Sequence, residues 1–199
     1  MLSLMRLTRF SFLFSFLFIS ANCNSQIKLK MQTFDIKEFE KHKIAGVYDR
    51  VLLNGTTIRQ YNYSEGYVQK TISVEGWFYD YKEFYLNGNL KESGTFFKKG
   101  DYPAGIWTEY DSSGKMIKET NYDKMFKQTL PSIFEILKQK KIKFTLIDNY
   151  NSIRRAVIDS KAIWIVEWKI QQGRIETITI DDEKGKIVNT DFYLLQEQH

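Results

Sequence analysis

The stretch FYLNGNLKESGTFFKKG, Phe84 to Gly100, is followed by a looser copy of itself, EYDSSGKMIKETNYDKM, Glu109 to Met125. Superposition places Phe84 on Tyr110, Gly88 on Gly114, Leu90 on Met116 and Phe96 on Tyr122, always 26 positions apart. Each copy reads aromatic, turn, glycine, aliphatic, aromatic. A lone hairpin cannot bury its apolar face, so repetition extends one sheet and one core a hairpin at a time. Outward from the repeat, a glycine preceded by a polar residue recurs at Gly55, Gly66, Gly76, Gly88, Gly100 and Gly114, at intervals of 11, 10, 12, 12 and 14 residues. The segments between are rich in Tyr, Phe, Thr, Val and Ile, as strands are. TTIRQYNY and YVQKTISV alternate apolar with polar, the pattern of one buried face. Asn54-Gly55 and Asn87-Gly88 predict two-residue hairpin turns. The spacing predicts an antiparallel β-meander over residues 46–124.

At these residues the chain resembles the bacterial MORN-repeat-variant family, best over residues 81–124 and more loosely back to residue 46. The resemblance rests on Tyr85, Asn87, Gly88, Leu90, Lys91, Gly94, Gly105, Trp107, Tyr110, Asp111, Gly114 and Lys115. The second copy departs from it with Thr120 where the first has Gly94. The resemblance implies a repeat scaffold, and some family members carry an antitoxin label.

Upstream, DIKEFEKHK (Asp35 to Lys43) reads as one short helix with Asp35 and Glu38 at capping-box spacing. Ile36 and Phe39 would face the sheet, and the helix is expected to cap the open end of the meander. Downstream, LPSIFEILKQKK (Leu130 to Lys141) is amphipathic, with Leu130, Ile133, Phe134 and Leu137 on one face and Pro131 in its first turn. The segments KFTLIDNY, KAIWIVEWKI, RIETITID and KIVNTDFYLL follow as strands, separated near the end by QQGR and DEKGK. Trp164 and Trp168, four apart on one strand, are expected to pack under the helix. This helix and meander, with TITIDDEKGKIVN near its end, resembles the PepSY-like group of small exported domains. The predicted fold class is therefore mainly β with an α+β C-terminal part: a meander of MORN-like hairpins, one helix, then a three- to four-stranded antiparallel sheet. The domain reading is residues 1–22 as signal peptide, 23–45 as linker and capping helix, 46–124 as β-repeat domain and 125–199 as a small α+β domain.

The first 20 residues are a different material. Arg6 and Arg9 precede the apolar run FSFLFSFLFIS (Phe10 to Ser20), and small residues follow in SANCNS. This is the order of a secretory signal peptide, and the run is too short to span a bilayer. A buried N-terminal helix would need no basic start followed by small residues. The single cysteine, Cys23, sits where this segment ends. One cysteine leaves no internal disulfide framework and no cysteine-based metal cluster. SANC resembles the lipobox of bacterial lipoproteins, with Ser20 where Leu, Val or Ile is usual and Asn22 where Gly, Ala or Ser is usual. The resemblance implies lipid attachment at Cys23; the alternative is ordinary cleavage nearby with an incidental cysteine.

About 175 residues would remain after cleavage, enough for one ordinary domain or two small ones. Of 29 Lys+Arg, Arg6 and Arg9 leave with the leader, so 27 face 24 Asp+Glu, a net charge of +3. That weak excess is not the concentrated stripe that nucleic acid requires, so no nucleic-acid partner is expected. The densest basic cluster, LKQKKIKF (Leu137 to Phe144), reads as a solvated helix end, where cations suit the helix dipole; contact with anionic lipid is the other reading.

Catalysis finds little to use. The two histidines are His42, on the predicted helix, and His199, the last residue. No spacing suits a zinc site, and glycines sit singly at turns rather than in a phosphate-binding loop. The acidic cluster Asp181-Asp182-Glu183 reads as a solvated hairpin tip, with weak calcium binding or carboxylate-only hydrolysis as alternatives. No catalytic residue, metal or cofactor is expected. Tyr85, Trp107, Tyr110 and Tyr122, at repeat-equivalent or neighbouring places, are either sheet core or a binding surface. The expectation is an exported, lipid-anchored envelope protein of a diderm bacterium, facing the periplasm, or otherwise soluble in the periplasm or secreted. It would act as a non-catalytic scaffold or binding module for a protein or envelope polymer. The alternatives are an antitoxin or immunity protein and, third, a carboxylate-only envelope hydrolase.

Overall fold

The computed structural model describes residues 32–171 and 173–195. The predicted leader, Cys23 and His199 lie outside the described residues. A short helix α1 (Ile36–His42) precedes seven strands: β1 (Val47–Val51), β2 (Thr57–Tyr63), β3 (Gly66–Ile72), β4 (Phe78–Tyr85), β5 (Leu90–Phe97), β6 (Tyr102–Tyr110) and β7 (Met116–Asn121). They form one antiparallel sheet in chain order. Helix α2 (Leu130–Gln139) follows, then β8 (Ser152–Ile158), β9 (Lys161–Gln171), β10 (Arg174–Asp181) and β11 (Lys186–Leu194), in a second antiparallel sheet of order β11-β10-β9-β8. The protein is thus mainly antiparallel β, a seven-stranded meander followed by one helix and four strands.

All six polar-glycine signals fall at the six turns of the long sheet. The turn chemistry differs from a two-residue hairpin, however. At Gly55, Gly88 and Gly114 the glycine amide donates to the carbonyl three residues back, of Leu52, Tyr85 and Asp111. Each of the three adopts positive φ, at 80°, 83° and 88°. These are three-residue loops, a type I turn closed by a left-handed glycine, which twists the hairpin in the right sense. Asn87 favours this form because its Oδ1 accepts the amide of Asn89 at 2.9 Å. The two turns at one end are also tied together: the Asn87 and Asn89 side chains both donate to the Ser112 carbonyl, at 3.2 and 2.8 Å.

Asp35 caps α1 through a 3.0 Å bond from the Glu38 amide. The helix does not cap the open edge of the meander; it lies on one face of it. Phe39, fully buried, joins Phe34, Phe84 and Leu90, with Tyr67 stacked on Phe34 at 4.6 Å. The strand partners Tyr67, Phe84 and Leu90 belong to β3, β4 and β5, whereas β1 offers only Tyr48. Burying a phenylalanine contributes about 2–3 kcal/mol, so the helix goes where the rings are.

On the same face, at the opposite end, the second sheet joins the first. Phe97, Tyr102 and Ala104 share one buried cluster with Leu130, Ile133 and Leu137 of α2 and with Ile153, Trp164, Val166, Trp168, Ile178 and Ile180. Trp164 and Trp168 do lie under α2, as their spacing predicts. Gly100 makes the junction possible. A β-carbon there would fall 1.7 Å from the Ile153 carbonyl oxygen, and the Ile153 amide bonds to Lys99 at 2.6 Å. The predicted strand KFTLIDNY is not one. Residues 143–150 are irregular, tied by a bond from the buried Asn151 side chain to the Thr145 carbonyl, and the strand is SIRRAVI, one segment later. Ile153, buried between two exposed or half-exposed neighbours, carries the alternation that KFTLIDNY imitates.

Candidate functional site

The face of the long sheet opposite α1 and α2 carries side chains that belong to neither buried cluster. Register places them in rows. Along β4 the sequence YDYKEFY sends Tyr79, Tyr81, Glu83 and Tyr85 to this face. Tyr79 opposes Phe96, Tyr81 opposes Gly94 and Glu83 opposes Glu92 on β5, and Glu92 opposes Glu109 on β6. Tyr61 and Tyr63 join from β2.

The aromatic row is continuous. Tyr79 stacks on Phe96 at 5.3 Å, Tyr81 stacks on Trp107 at 5.5 Å, and Phe96 meets Trp107 edge-on at 4.9 Å. Trp107 meets Tyr122 edge-on at 5.8 Å. Phe96 and Tyr122 are equivalent positions of the two copies, and they flank the indole on either side. Trp107 sits directly over Gly94, where a β-carbon would come within 2.3 Å of its ring. Its Nε1 donates to the Thr95 carbonyl at 3.2 Å. This explains the departure in the second copy. Thr120, which takes the place of Gly94, lies on the edge strand β7, so no further strand lays a tryptophan across it.

The four sequence candidates divide into two pairs. Trp107 and Tyr122 share the open face, Trp107 buried and Tyr122 exposed. Tyr85 reaches across one end of the sheet, its hydroxyl donating to the Tyr110 carbonyl at 2.8 Å, while the Tyr110 ring packs against the Phe84 cluster on the other face. Missed in the sequence were Tyr61, Tyr63, Tyr79, Tyr81 and the glutamate row. The alternation in YDYKEFY was the available signal for half of them; the rest needed cross-strand register.

Charge is arranged unevenly along the glutamate row. Burial pushes the Glu83 carboxyl up, but the Lys91 ammonium at 2.6 Å and the hydroxyls of Tyr63 and Tyr81 outweigh it, leaving Glu83 below the ordinary carboxylate range. Glu92 lies above that range, first through burial and then through its neighbours Glu83 and Glu109. Tyr81 and Tyr79 are held neutral well above their usual range by burial, reinforced by Glu83 and Asp101. The face is therefore a band of neutral hydroxylated rings bordered by carboxylates and lysines, suited to hydrogen-bonded, stacking recognition.

The acidic tip Asp181-Asp182-Glu183 is not uniformly solvated. Asp182 is buried, 2% exposed. It accepts from the Trp164 indole at 2.8 Å and from the amides of Lys127 at 2.6 Å and Gln128 at 3.0 Å. Three donors make it a structural acceptor that anchors the segment leading into α2. Arg155 is equally structural. It lies 4.5 Å from the ring centroids of both Tyr102 and Phe126, bonds Asp123 at 2.7 Å and reaches the Pro103 carbonyl at 2.5 Å, beside a cavity of about 200 Å³. His42 stacks on Tyr48 at 5.2 Å, at the surface of α1. No family model, curated protein or solved structure matches the chain.

Proposed function

We propose that the protein is an exported, lipid-anchored envelope protein of a diderm bacterium and a non-catalytic MORN-variant scaffold. Its open sheet face would bind a protein or an envelope polymer. The signal-like N-terminal segment and Cys23 support export and anchoring, and the repeats support the scaffold role. The observation that carries the binding role is the continuous row from Tyr79 to Tyr122 beside Glu83, Glu92 and Glu109, on the face that neither helix occupies. Amphipathic tyrosines that contribute area at low entropy cost, edged by charge, are what recognition surfaces use.

The test is affinity capture with the full chain from a diderm envelope fraction, alongside a Tyr61→Ser/Tyr122→Ser variant. One species retained by the parent and lost by the variant is expected. Capture that is identical for both would sink the assignment of this face. The anchoring part is checked separately by the mass of the N-terminal peptide, expected to begin at a lipid-modified Cys23.

A further inference from the structure

The geometry points to a second contact surface: the end of the molecule opposite the Gly88 turn docks on an anionic lipid bilayer. The C-terminal end of α2 and the chain after it enclose an apolar groove of about 610 Å³. Its floor is an aromatic triad, with Trp77 4.8 Å from Phe134 and 5.8 Å from Phe144, extended by Ile142. Its rim is Lys138, Lys141 and Lys143, all exposed. Lys140 stands beside them, and among the described residues none of the four makes an ion pair. Residues 130–148 hold these four lysines against two acids, Glu135 and Asp148.

Next to the groove, across Thr145 and Leu146, a second shallow depression is lined by Gly55, Val74, Lys98 and Lys99. Single apolar side chains project from three separate turns here: Leu53 at 111% exposure, Val74 at 65% and Ile147 at 91%. The β1–β2 and β3–β4 tips touch, since a β-carbon on Gly55 would fall 2.8 Å from Val74. Exposed aliphatics on turn tips cost solvation in water and gain it between lipid headgroups, while lysines keep their ammonium groups at phosphate level. The cations around the groove and the second depression are lysines, with no arginine among them. Protein interfaces favour arginine and are depleted in lysine, so the composition suits a phosphate-covered bilayer better than a peptide partner. This surface goes beyond the binding face proposed above and does not depend on a lipid at Cys23.

The test is sedimentation of the full chain carrying Cys23→Ser with vesicles of phosphatidylcholine alone or mixed with phosphatidylglycerol. The N-terminal residues are common to all samples, so the reading is the difference between parent and variants. Each lysine brought to an anionic surface is worth about fivefold in partitioning, so Lys138→Gln/Lys141→Gln/Lys143→Gln should bind mixed vesicles roughly a hundredfold more weakly. Leu53→Ser/Ile147→Ser should weaken binding to both vesicle types. These residues are exposed, and an unchanged melting temperature will show that the variants fold. Equal sedimentation of parent and lysine variant with mixed vesicles overturns the proposal. So does salt-insensitive parent binding that does not distinguish the two vesicle types. So does a parent that ignores vesicles and instead dimerises or binds an acidic amphipathic peptide through the groove.

Discussion

Asp182 accepts the indole N–H of Trp164 at 2.8 Å, at the head of a hairpin tip and 18 residues away in sequence. The same carboxylate accepts two backbone amides from the segment before α2. It therefore fixes the β9–β10 pair to the helix that covers them. Asp182→Ala leaves three buried donors unpaired and should lower stability by about 3–5 kcal/mol. Asp182→Asn presents an amide to at least one of those donors and should cost about 2 kcal/mol. Urea unfolding of both variants measures the difference; a loss under about 1 kcal/mol for the alanine variant would show that water satisfies the donors.

Arg155 presents a choice between two effects. Its partner Asp123 is 55% exposed, and a solvated pair contributes little, about 0–1 kcal/mol. Its guanidinium is buried against Tyr102 and Phe126 and bonds the Pro103 carbonyl. Asp123→Asn should therefore cost under about 1 kcal/mol, whereas Arg155→Lys, which cannot stack and fork at once, should cost about 2 kcal/mol. Reversal of that order in thermal unfolding would assign the weight to the ion pair.

Gly94 should tolerate no side chain. Alanine there must displace the Trp107 ring, which is held by Phe96, Tyr81 and the Thr95 carbonyl. Gly94→Ala is expected to cost about 2–3 kcal/mol, in the range for overpacking. Trp107→Phe shortens the ring and should recover part of that loss when combined with it, a coupling that a double-mutant cycle reads directly.

The glutamate row sets a pH dependence. Glu83 lies below its ordinary value of 4.5, so the stability it contributes is full above that value and disappears as pH falls through the lowered one. Glu92 lies above 4.5, so its contribution is present below that value and disappears as pH rises through the raised one. At neutral pH, Glu92→Gln removes repulsion from Glu83 and Glu109 and should gain about 0.5 kcal/mol, while Glu83→Gln should lose about 1 kcal/mol. Glu92→Gln should also flatten the decline of stability between pH 4.5 and neutrality. The melting temperature across pH for both variants provides the check.

The sequence was most legible where structure is local. Glycine after a polar residue marks all six turns of the long sheet, and Asp35 and the Leu130–Leu137 face define both helices within two residues. Turn type was not legible, because the three-residue loop and the two-residue hairpin both use Asn-Gly and differ only in strand register. Both segments are about half apolar, four of eight residues in KFTLIDNY and four of seven in SIRRAVI; packing of Ile153 against α2 and the Gly100 backbone selects the second. Burial of Asp182 depends on residues 54 and 55 positions away, which no window along the chain contains. The candidate face was half visible for the same reason: alternation places residues on a face, but only register makes Glu83, Glu92 and Glu109 a row.

Trp107 over Gly94, and the absence of any such partner over Thr120, give the array an edge rule. A further unit whose tryptophan lay across β7 would meet the methyl and hydroxyl of Thr120 where Gly94 leaves room for Trp107. A unit added against β7 in that way therefore also needs Thr120→Gly, whereas a copy that carries Gly94 and Trp107 together brings its own clearance. One side chain on the last strand thus decides which kind of unit can be laid beside it.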